Sequence, residues 1–301
     1  MTKNAMYNEI TSNKRKSVFL VMIFIAIIIG LGYVFDRVWG TGDYSMVGMA
    51  IIFSLIMTSV SYFSGDKIAL ATAGAKQIVQ TDNPYLYRLV ENLCITVGTS
   101  VPKVYIITDP AINAFATGRD LAHASIAVTT GAIEKLTNEE LEGVLAHELS
   151  HVKNYDIRFM MLVAVLVGAI AILSNIMLRS HLFRGRDNNR GGGNLGGILM
   201  IAGIVLAILS PLIAELIKLA ISRKREYLAD ASGALLTRFP DGLANALEKI
   251  ATQNQPLRTA SNATAHLFIA NPFGSGKKFS NMFSTHPPVE ERIKRLRAMG
   301  K

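Results

Sequence analysis

The chain has 301 residues, of which 50% are hydrophobic and only 18% charged, and its mean hydropathy is +0.32. This composition is too apolar for an ordinary soluble domain, in which about a quarter of the residues carry charge, and it also excludes intrinsic disorder. The single cysteine, Cys94, excludes a disulfide-stapled scaffold. The net charge of +9 does not indicate nucleic-acid binding, because much of the positive charge flanks apolar segments and no basic stripe alternates with aromatic residues.

The apolar residues are concentrated in four stretches without Asp, Glu, Lys or Arg. A helix that crosses a bilayer needs about 20 apolar residues. Four stretches reach that length: Ser17–Phe35, Tyr44–Gly65, Phe159–Leu178 and Gly191–Ala214. The first is too long for the apolar core of a secretory signal, which predicts an uncleaved anchor. The cations before it predict a cytoplasmic N-terminus: Lys3, Lys14, Arg15 and Lys16.

These stretches divide the chain into alternating membrane and soluble parts. We predict a transmembrane hairpin over 1–65, the first part of a catalytic domain over 66–156, a second helix hairpin over 157–221, and the rest of the catalytic domain over 222–301. Whether the second hairpin crosses the bilayer stays open, because its basic linker, Arg179–Gly196, would then lie outside, against the charge rule. In either case residues 66–156 and 222–301 lie on the same side and are expected to meet.

Residues 66–156 carry the patterns of a mixed α and β region. Helical periodicity covers Lys67–Gln80 and Asn83–Gly98, and β-branched alternation predicts strands at Lys103–Thr108 and Ser125–Thr130. A Thr-x-x-Glu capping box that begins at Thr137 then opens another helix. The functional prediction depends on the residues of that last helix.

The motif His-Glu-x-x-His occurs in this helix at residues 147–151. Residues four apart in a helix lie on one face about one turn apart, so His147 and His151 direct two imidazole nitrogens at one metal ion. Glu148, one step round the helix, is then placed to act as general base on a water molecule. The alternative is that this helix face is exposed and charged and that both histidines are solvated. In that case the spacing of the motif would be accidental.

A catalytic zinc site usually takes three protein ligands, so a third is expected elsewhere in the chain. The best candidate is Glu226, in the helix after the second hairpin; Asp230, one turn on, is placed to accept an N–H from a ligating histidine. A salt bridge to neighbouring arginines is the alternative for Glu226. Asp156 and Glu142 each lie five residues from a histidine of the motif, and this spacing predicts that both point away from the metal.

Several segments together resemble one family of enzymes. HELSH, SRKREYLADASGA, AFATG, VTTG and THPPVEERI are similar to the integral-membrane zinc metalloproteases of the HtpX type, which are related to the eukaryotic CAAX prenyl protease. The resemblance implies that His147, His151 and Glu226 bind one Zn²⁺ ion. It also implies that Glu148 is the base and that Asp230 supports a ligand from behind. A substrate cleft is assigned to a further group: Asn113, Ala114, Phe115, Ala116, Val128 and Thr129.

The C-terminal segment THPPVEERI adds two catalytic candidates. Pro287 and Pro288 fix the start of a helix, and the resemblance implies that His286 and Arg292 face the metal site. Such donors would stabilise the negative charge that develops on a substrate carbonyl. The alternative is a proline-stiffened turn followed by a basic surface helix.

The predicted fold is a mostly α membrane protein with a small α+β zincin-like catalytic domain and four apolar helices. The predicted function is that of a multi-pass, zinc-dependent endopeptidase of the cell membrane, with a cytoplasmic site, that cuts misfolded or damaged membrane proteins. An extended substrate is expected to pair with the edge of the Ser125–Thr130 strand. Unfolded polypeptides and the lipid bilayer are the expected partners.

Two other classes of function are considered. A membrane transporter would place ionisable residues within its spans, but the four apolar stretches are free of charge. A non-catalytic membrane scaffold with a structural zinc site would not need the full set of His-Glu-x-x-His, Glu226 and Asp230. The protease remains the interpretation that uses all of these residues.

Overall fold

The computed structural model is mostly helical and describes residues 3–39, 42–168, 170, 223–253, 255–261, 263–274 and 287–300. Its helices are α1 (Lys3–Trp39), α2 (Ser45–Thr72), α3 (Pro84–Val97), α4 (Thr130–Lys135), α5 (Asn138–Lys153), α6 (residues 156–168), α7 (Arg223–Thr237), α8 (Pro240–Gln253) and α9 (Val289–Met299). Its strands are β1 (Ala75–Ile78), β2 (Lys103–Ile107), β3 (Ala114–Gly118) and β4 (Ala124–Thr129). The elements after α2 form the part that carries the site.

The first two helices pack against each other and have the length and composition of membrane spans, over Ile10–Arg37 and Ser45–Thr72. Their large apolar side chains are exposed, with Phe19 at 58%, Ile52 at 60% and Phe63 at 62%. An apolar surface of this extent is unusual for a soluble protein and suits contact with lipid. Two of the four predicted apolar helices are therefore present as candidate spans.

The third apolar stretch is helical where the structure describes it. α6 covers its first part, and every side chain from Phe159 to Val167 is buried. Several of these side chains pack against the Leu20, Phe24 and Ile28 face of α1. The part of Phe159–Leu178 beyond residue 170, and all of Gly191–Ala214, lie outside the described residues.

A four-stranded sheet lies beside these helices, with strand order β1-β2-β4-β3. β2 and β4 run parallel, whereas β1 and β3 pair antiparallel with β2 and β4 respectively. The predicted strands Lys103–Thr108 and Ser125–Thr130 are confirmed as β2 and β4, each shifted by no more than one residue. The predicted helix Asn83–Gly98 is confirmed as α3, in which the Asn83 side chain accepts a hydrogen bond from the Leu86 N–H.

The prediction of one helix over Lys67–Gln80 is wrong in its second half. α2 ends at Thr72, Gly74 takes a left-handed φ of 68°, and β1 then begins at Ala75. A glycine in this conformation commonly ends a helix. Residues 75–78 gain hydrogen bonds from β2, a partner that local periodicity does not indicate.

Candidate active site

The predicted capping box sets the start of α5. The Thr137 N–H donates to Oε2 of Glu140 at 2.8 Å, and the Glu140 N–H donates to the Thr137 hydroxyl at 3.4 Å. α5 then packs against α7, α8 and β3. Within it, His147, Glu148 and His151 are no more than 3% exposed, which excludes the alternative of a solvated, charged helix face.

The three predicted metal ligands come together in one buried cluster. Nε2 of His147 lies 3.2 Å from Nε2 of His151, and the two nitrogens lie 3.8 and 3.6 Å from the carboxylate oxygens of Glu226. Four donors arranged tetrahedrally about zinc at bond lengths near 2.0 Å are about 3.3 Å apart. The separations are therefore close to those of a tetrahedral zinc site that keeps a fourth position for water.

α7 reaches this position because of a glycine. A Cβ atom at Gly233 would lie 3.0 Å from the backbone nitrogen of His147 and 3.2 Å from its Cα, tighter than most real contacts. Glycine at this point lets α7 pass directly against α5. Glu226 in the first turn of α7 and Asp230 one turn later then both face the histidines.

Each histidine has a carboxylate behind it, at the ring nitrogen that faces away from the cluster. Nδ1 of His147 lies 3.0 Å from Oδ1 of Asp230, its predicted acceptor, at ion-pair distance but without the alignment of a hydrogen bond. Nδ1 of His151 lies 3.0 Å from Oδ2 of Asp156. Carboxylates in this position fix the ring orientation and tautomer of a metal-ligating histidine and raise its basicity.

Asp156 stays off the metal side of His151, as predicted, but its contact with the other ring nitrogen was not predicted. The spacing rule assumed that α5 continues through Asp156, but the helix ends at Lys153 and Tyr155 takes a φ of 60°. The chain reverses through this turn, and Asp156 begins α6 next to His151. The left-handed residue is Tyr155 and not a glycine or asparagine, so the usual signal for such a turn is missing from the sequence.

Arg292 is brought to the site, but its guanidinium contacts protein groups. It donates from Nε and Nη2 to the two oxygens of Asp230, at 2.9 and 2.7 Å, and from Nη1 to the Ile269 carbonyl at 3.2 Å. Its Nη1 also lies 3.9 Å from Oε2 of Glu226. Because the side chain is only 2% exposed, this placement favours a role in positioning the two carboxylates over the predicted contact with substrate. His286 lies outside the described residues.

The two histidines have pKa values shifted in opposite directions. Burial lowers the pKa of His147 to about 4, although Asp230 acts to raise it. Burial also disfavours the charged form of His151, but the hydrogen bond with Asp156 and the charges of Glu226 and Asp156 outweigh it and raise the pKa to about 9. One ring is therefore neutral at pH 7, and the other must release a proton before its Nε2 can bind a metal.

The pKa values of the Glu148 and Asp230 carboxyl groups are also shifted in opposite directions. Burial raises the pKa of Glu148 to about 8; the His151 charge acts to lower it and the Glu226 charge to raise it. Burial acts to raise the pKa of Asp230 as well, but the charge of Arg292 brings it down to about 2. Asp230 is thus a permanent anion, whereas Glu148 is poised to exchange a proton near neutral pH.

The predicted substrate cleft needs correction at three residues. Val128 and Thr129 lie in β4, which pairs with β2 on one side and β3 on the other, so this strand has no free edge for a substrate. Thr129 instead donates its hydroxyl to the Asn113 carbonyl, and the Asn113 side chain donates to Ala270. These contacts hold the loop before β3, and all three side chains are buried.

The edge strand at this side of the sheet is β3, the AFATG segment. The Ile269 N–H donates to the Ala114 carbonyl at 2.9 Å, and the Phe115 and Phe268 rings pack edge to face. A later segment of the chain therefore covers the beginning of β3. The Ala116 N–H faces the Glu148 carboxyl and acts to lower its pKa, so the middle of β3 borders the site.

A buried His-Glu-x-x-His helix, a glutamate from a second helix and two exposed apolar helices together define a membrane metalloprotease. The chain belongs to peptidase family M48, whose family model matches residues 80–300. It is 44% identical to a protease HtpX homolog of Caldanaerobacter subterraneus subsp. tengcongensis, over 99% of both chains. It is 43% identical to one of Lactobacillus acidophilus, over 98% of this chain and 100% of that one. The resemblance found in the sequence is confirmed.

One solved structure has a similar fold. The crystal structure of S. mikatae Ste24p matches 96% of this chain and 67% of that chain, with a TM-score of 0.51 and 19% sequence identity. At this level of identity the likeness concerns the arrangement of the backbone alone.

Proposed function

We propose that this chain is a zinc-dependent endopeptidase of the cell membrane that hydrolyses misfolded or damaged membrane proteins on the cytoplasmic side. The observation that carries the proposal is the convergence of His147, His151 and Glu226 within 4.8 Å, next to the buried Glu148. Family M48 membership supports peptide hydrolysis as the reaction. Polypeptides would be the substrates, and the two apolar helices would hold the enzyme beside membrane-embedded ones.

The donor set fits zinc. Two imidazole nitrogens and one carboxylate are ligands of catalytic zinc sites, and each imidazole is supported from behind by a carboxylate. When bound, zinc supplies Lewis acidity toward a peptide carbonyl and toward water. His147, His151 and Glu226 would hold the ion, while Asp230 and Asp156 would keep the imidazole rings in the binding tautomer.

Glu148 would carry the proton. Its raised pKa in the metal-free site would fall once a divalent cation is held nearby, because an opposite charge favours the carboxylate. The carboxylate would then take a proton from the attacking water and deliver it to the leaving amine. During this proton transfer Arg292 would keep the Asp230 and Glu226 carboxylates charged, through its contacts with them at 2.7 to 3.9 Å.

An extended substrate would lie along β3 and not along β4. Ala116 presents its N–H next to Glu148, and the Phe268 segment covers the strand at Ala114. Pairing with backbone groups selects for unfolded or loop segments over a particular sequence. Weak sequence preference suits an enzyme of protein quality control and stress response.

The proposed cytoplasmic side depends on the N-terminal end of α1. Asn13 donates a hydrogen bond to Asp156, and the Lys14 ammonium lies 4.6 Å from the centre of the Tyr155 ring. The basic end of the first span and the metal cluster are thus neighbours. Because positively charged flanks favour the cytoplasm, both would lie there.

Two measurements test this proposal. Purified protein in liposomes should bind one zinc per chain and cleave an unfolded casein-like protein, and a strong chelator should stop cleavage until zinc is restored. In cells, a cysteine at the exposed Glu290 should react with a membrane-impermeant thiol reagent only after the membrane is opened. The native Cys94 is buried and gives the background signal. Cleavage that persists without metal would contradict the chemistry; labelling in intact cells would contradict the orientation.

A further inference from the structure

One face of α1 carries a row of buried side chains at helical spacing: Asn13, Ser17, Leu20, Phe24 and Ile28. Residues three and four apart share a helix face, and the last three pack against α6, the helix that follows the His-Glu-x-x-His helix. At the first position of the row an apolar side chain would serve packing equally well. Asn13 is nevertheless only 1% exposed, and a buried amide is costly unless it is hydrogen-bonded.

The partners of Asn13 surround the metal cluster. Its Nδ2 donates to Oδ1 of Asp156 at 2.6 Å and to the Asn154 carbonyl at 3.0 Å. Its Oδ1 accepts from Nη1 of Arg225 at 3.4 Å, and Nε of Arg225 lies 3.9 Å from Asp156. Arg225 immediately precedes Glu226 in α7. The Asn13 side chain therefore contacts the segment just after the His-Glu-x-x-His helix and the residue just before Glu226.

Asp156 divides its two oxygens between two partners. Oδ1 accepts from Asn13, and Oδ2 lies 3.0 Å from Nδ1 of His151. A carboxylate held at one oxygen cannot rotate freely, so the other oxygen keeps a fixed position relative to the imidazole. A bond at Nδ1 keeps the proton there and leaves Nε2 of His151 as the nitrogen for the metal.

We propose that Asn13 is a positioning residue of the metal site, which acts through Asp156 to fix the binding tautomer of His151. The inference rests on the proposed function, because it takes this cluster to bind zinc. It makes the first membrane helix part of the metal centre as well as an anchor. The competing explanation is that Asn13 only joins α1 to the rest of the protein, which predicts lower stability with unchanged zinc affinity.

The test measures zinc affinity of full-length protein in detergent, by competition with a chromogenic chelator. Asn13→Leu removes the donor while nearly keeping the side-chain size, and Asn13→Ala removes it with a smaller side chain. We expect either to weaken binding about tenfold, the lower end of the ~10–100-fold loss for residues that support a ligand. Ser17→Ala, one turn along the same buried face, is the control, and it should bind zinc as the wild type does.

A double-mutant cycle separates positioning from general damage. In an Asp156→Asn background, Asn13→Leu should cause no further loss of affinity, because the connection to His151 is already broken. Wild-type affinity in either folded Asn13 variant, or an undiminished loss in the Asp156→Asn background, would overturn the proposal. If Asn13→Leu does not fold, Asn13→Ala decides. A wild-type protein that binds no zinc would instead contradict the proposed function itself.

Discussion

Arg292 donates two hydrogen bonds to Asp230, at 2.9 and 2.7 Å, across 62 positions of the sequence. Asp230 in turn contacts Nδ1 of His147 at 3.0 Å. The C-terminal helix α9 is thereby connected to the histidine of the α5 helix through one buried carboxylate. The arrangement is matched on the other histidine, where Asp156 lies between His151 and Asn13.

Loss of Arg292 should therefore damage stability and metal binding together. Arg292→Met leaves the Asp230 carboxylate buried without its counter-ion, and we expect a destabilisation of about 3–5 kcal/mol. Arg292→Lys keeps the charge but loses the paired geometry, so its effect should be smaller. Thermal unfolding in detergent, with and without zinc, measures both. Lys294→Met, at an exposed position of the same helix, should change little; equal effects of the two methionine variants would contradict this role.

Glu226 should be needed for zinc itself. Glu226→Ala removes one of three converging donors, so the loss of affinity should exceed the ~10–100-fold expected for Asp156→Asn or Asp230→Asn. Metal analysis after dialysis against a weak chelator gives the zinc content of each variant. Glu248→Ala, at an exposed position of α8, is the control. Full zinc content in Glu226→Ala would remove it from the set of ligands.

Zinc affinity should rise with pH. Without metal, His151 has a pKa of about 9 and is protonated at both ring nitrogens at pH 7, whereas His147, with a pKa of about 4, is neutral. Binding must displace one proton from His151 and, because the cation lowers the pKa of Glu148, up to one more from that carboxyl, so the apparent affinity should increase about tenfold to a hundredfold per pH unit between pH 6 and 8. Chelator competition at three pH values measures the slope. Affinity that does not change with pH would show that His151 is already neutral.

Gly233 should be intolerant of a side chain. Gly233→Ala places a methyl group 3.0 Å from the His147 backbone, which forces α7 away from α5. We expect about 1–3 kcal/mol of destabilisation and weaker zinc binding, because Glu226 and Asp230 move with α7. Gly48→Ala, in α2 with no heavy atom within 4 Å of the added carbon, should be harmless. If Gly233→Ala has the stability and the zinc affinity of the wild type, the two helices are not held together at this contact.

The local features of the site could be predicted from the sequence. His147, Glu148 and His151 share one short helical segment, whose spacing alone brings two imidazoles together, and Thr137 marks where that helix begins. Glu226 and Asp230 were found because they lie one turn apart in a second helix. For the two histidines the geometry of a single helix was sufficient, whereas the assignment of Glu226 and Asp230 to the same site also needed the family resemblance.

The features that depend on tertiary contacts could not be predicted in this way. Asp156 reaches Nδ1 of His151 only because the chain reverses at Tyr155, and the spacing rule for a continuous helix could not predict this contact. The order of the strands decided that β3 and not β4 forms the edge, which removes Val128 and Thr129 from the predicted substrate cleft and leaves Ala116 as a candidate. The role of Arg292 likewise depends on where α9 packs, because its N–H groups bond to Asp230 and are not directed at a substrate.

We expect that the buried Glu148, beside a zinc ion, makes this membrane protein a peptidase. The most direct measurement compares wild type and Glu148→Gln in liposomes, recording zinc content and the rate at which an unfolded casein-like protein is cleaved. The substitution preserves size and should preserve zinc, while removal of the base should slow cleavage by about 10²–10⁴-fold. Cleavage at the wild-type rate by zinc-loaded Glu148→Gln protein would show that Glu148 is not the base.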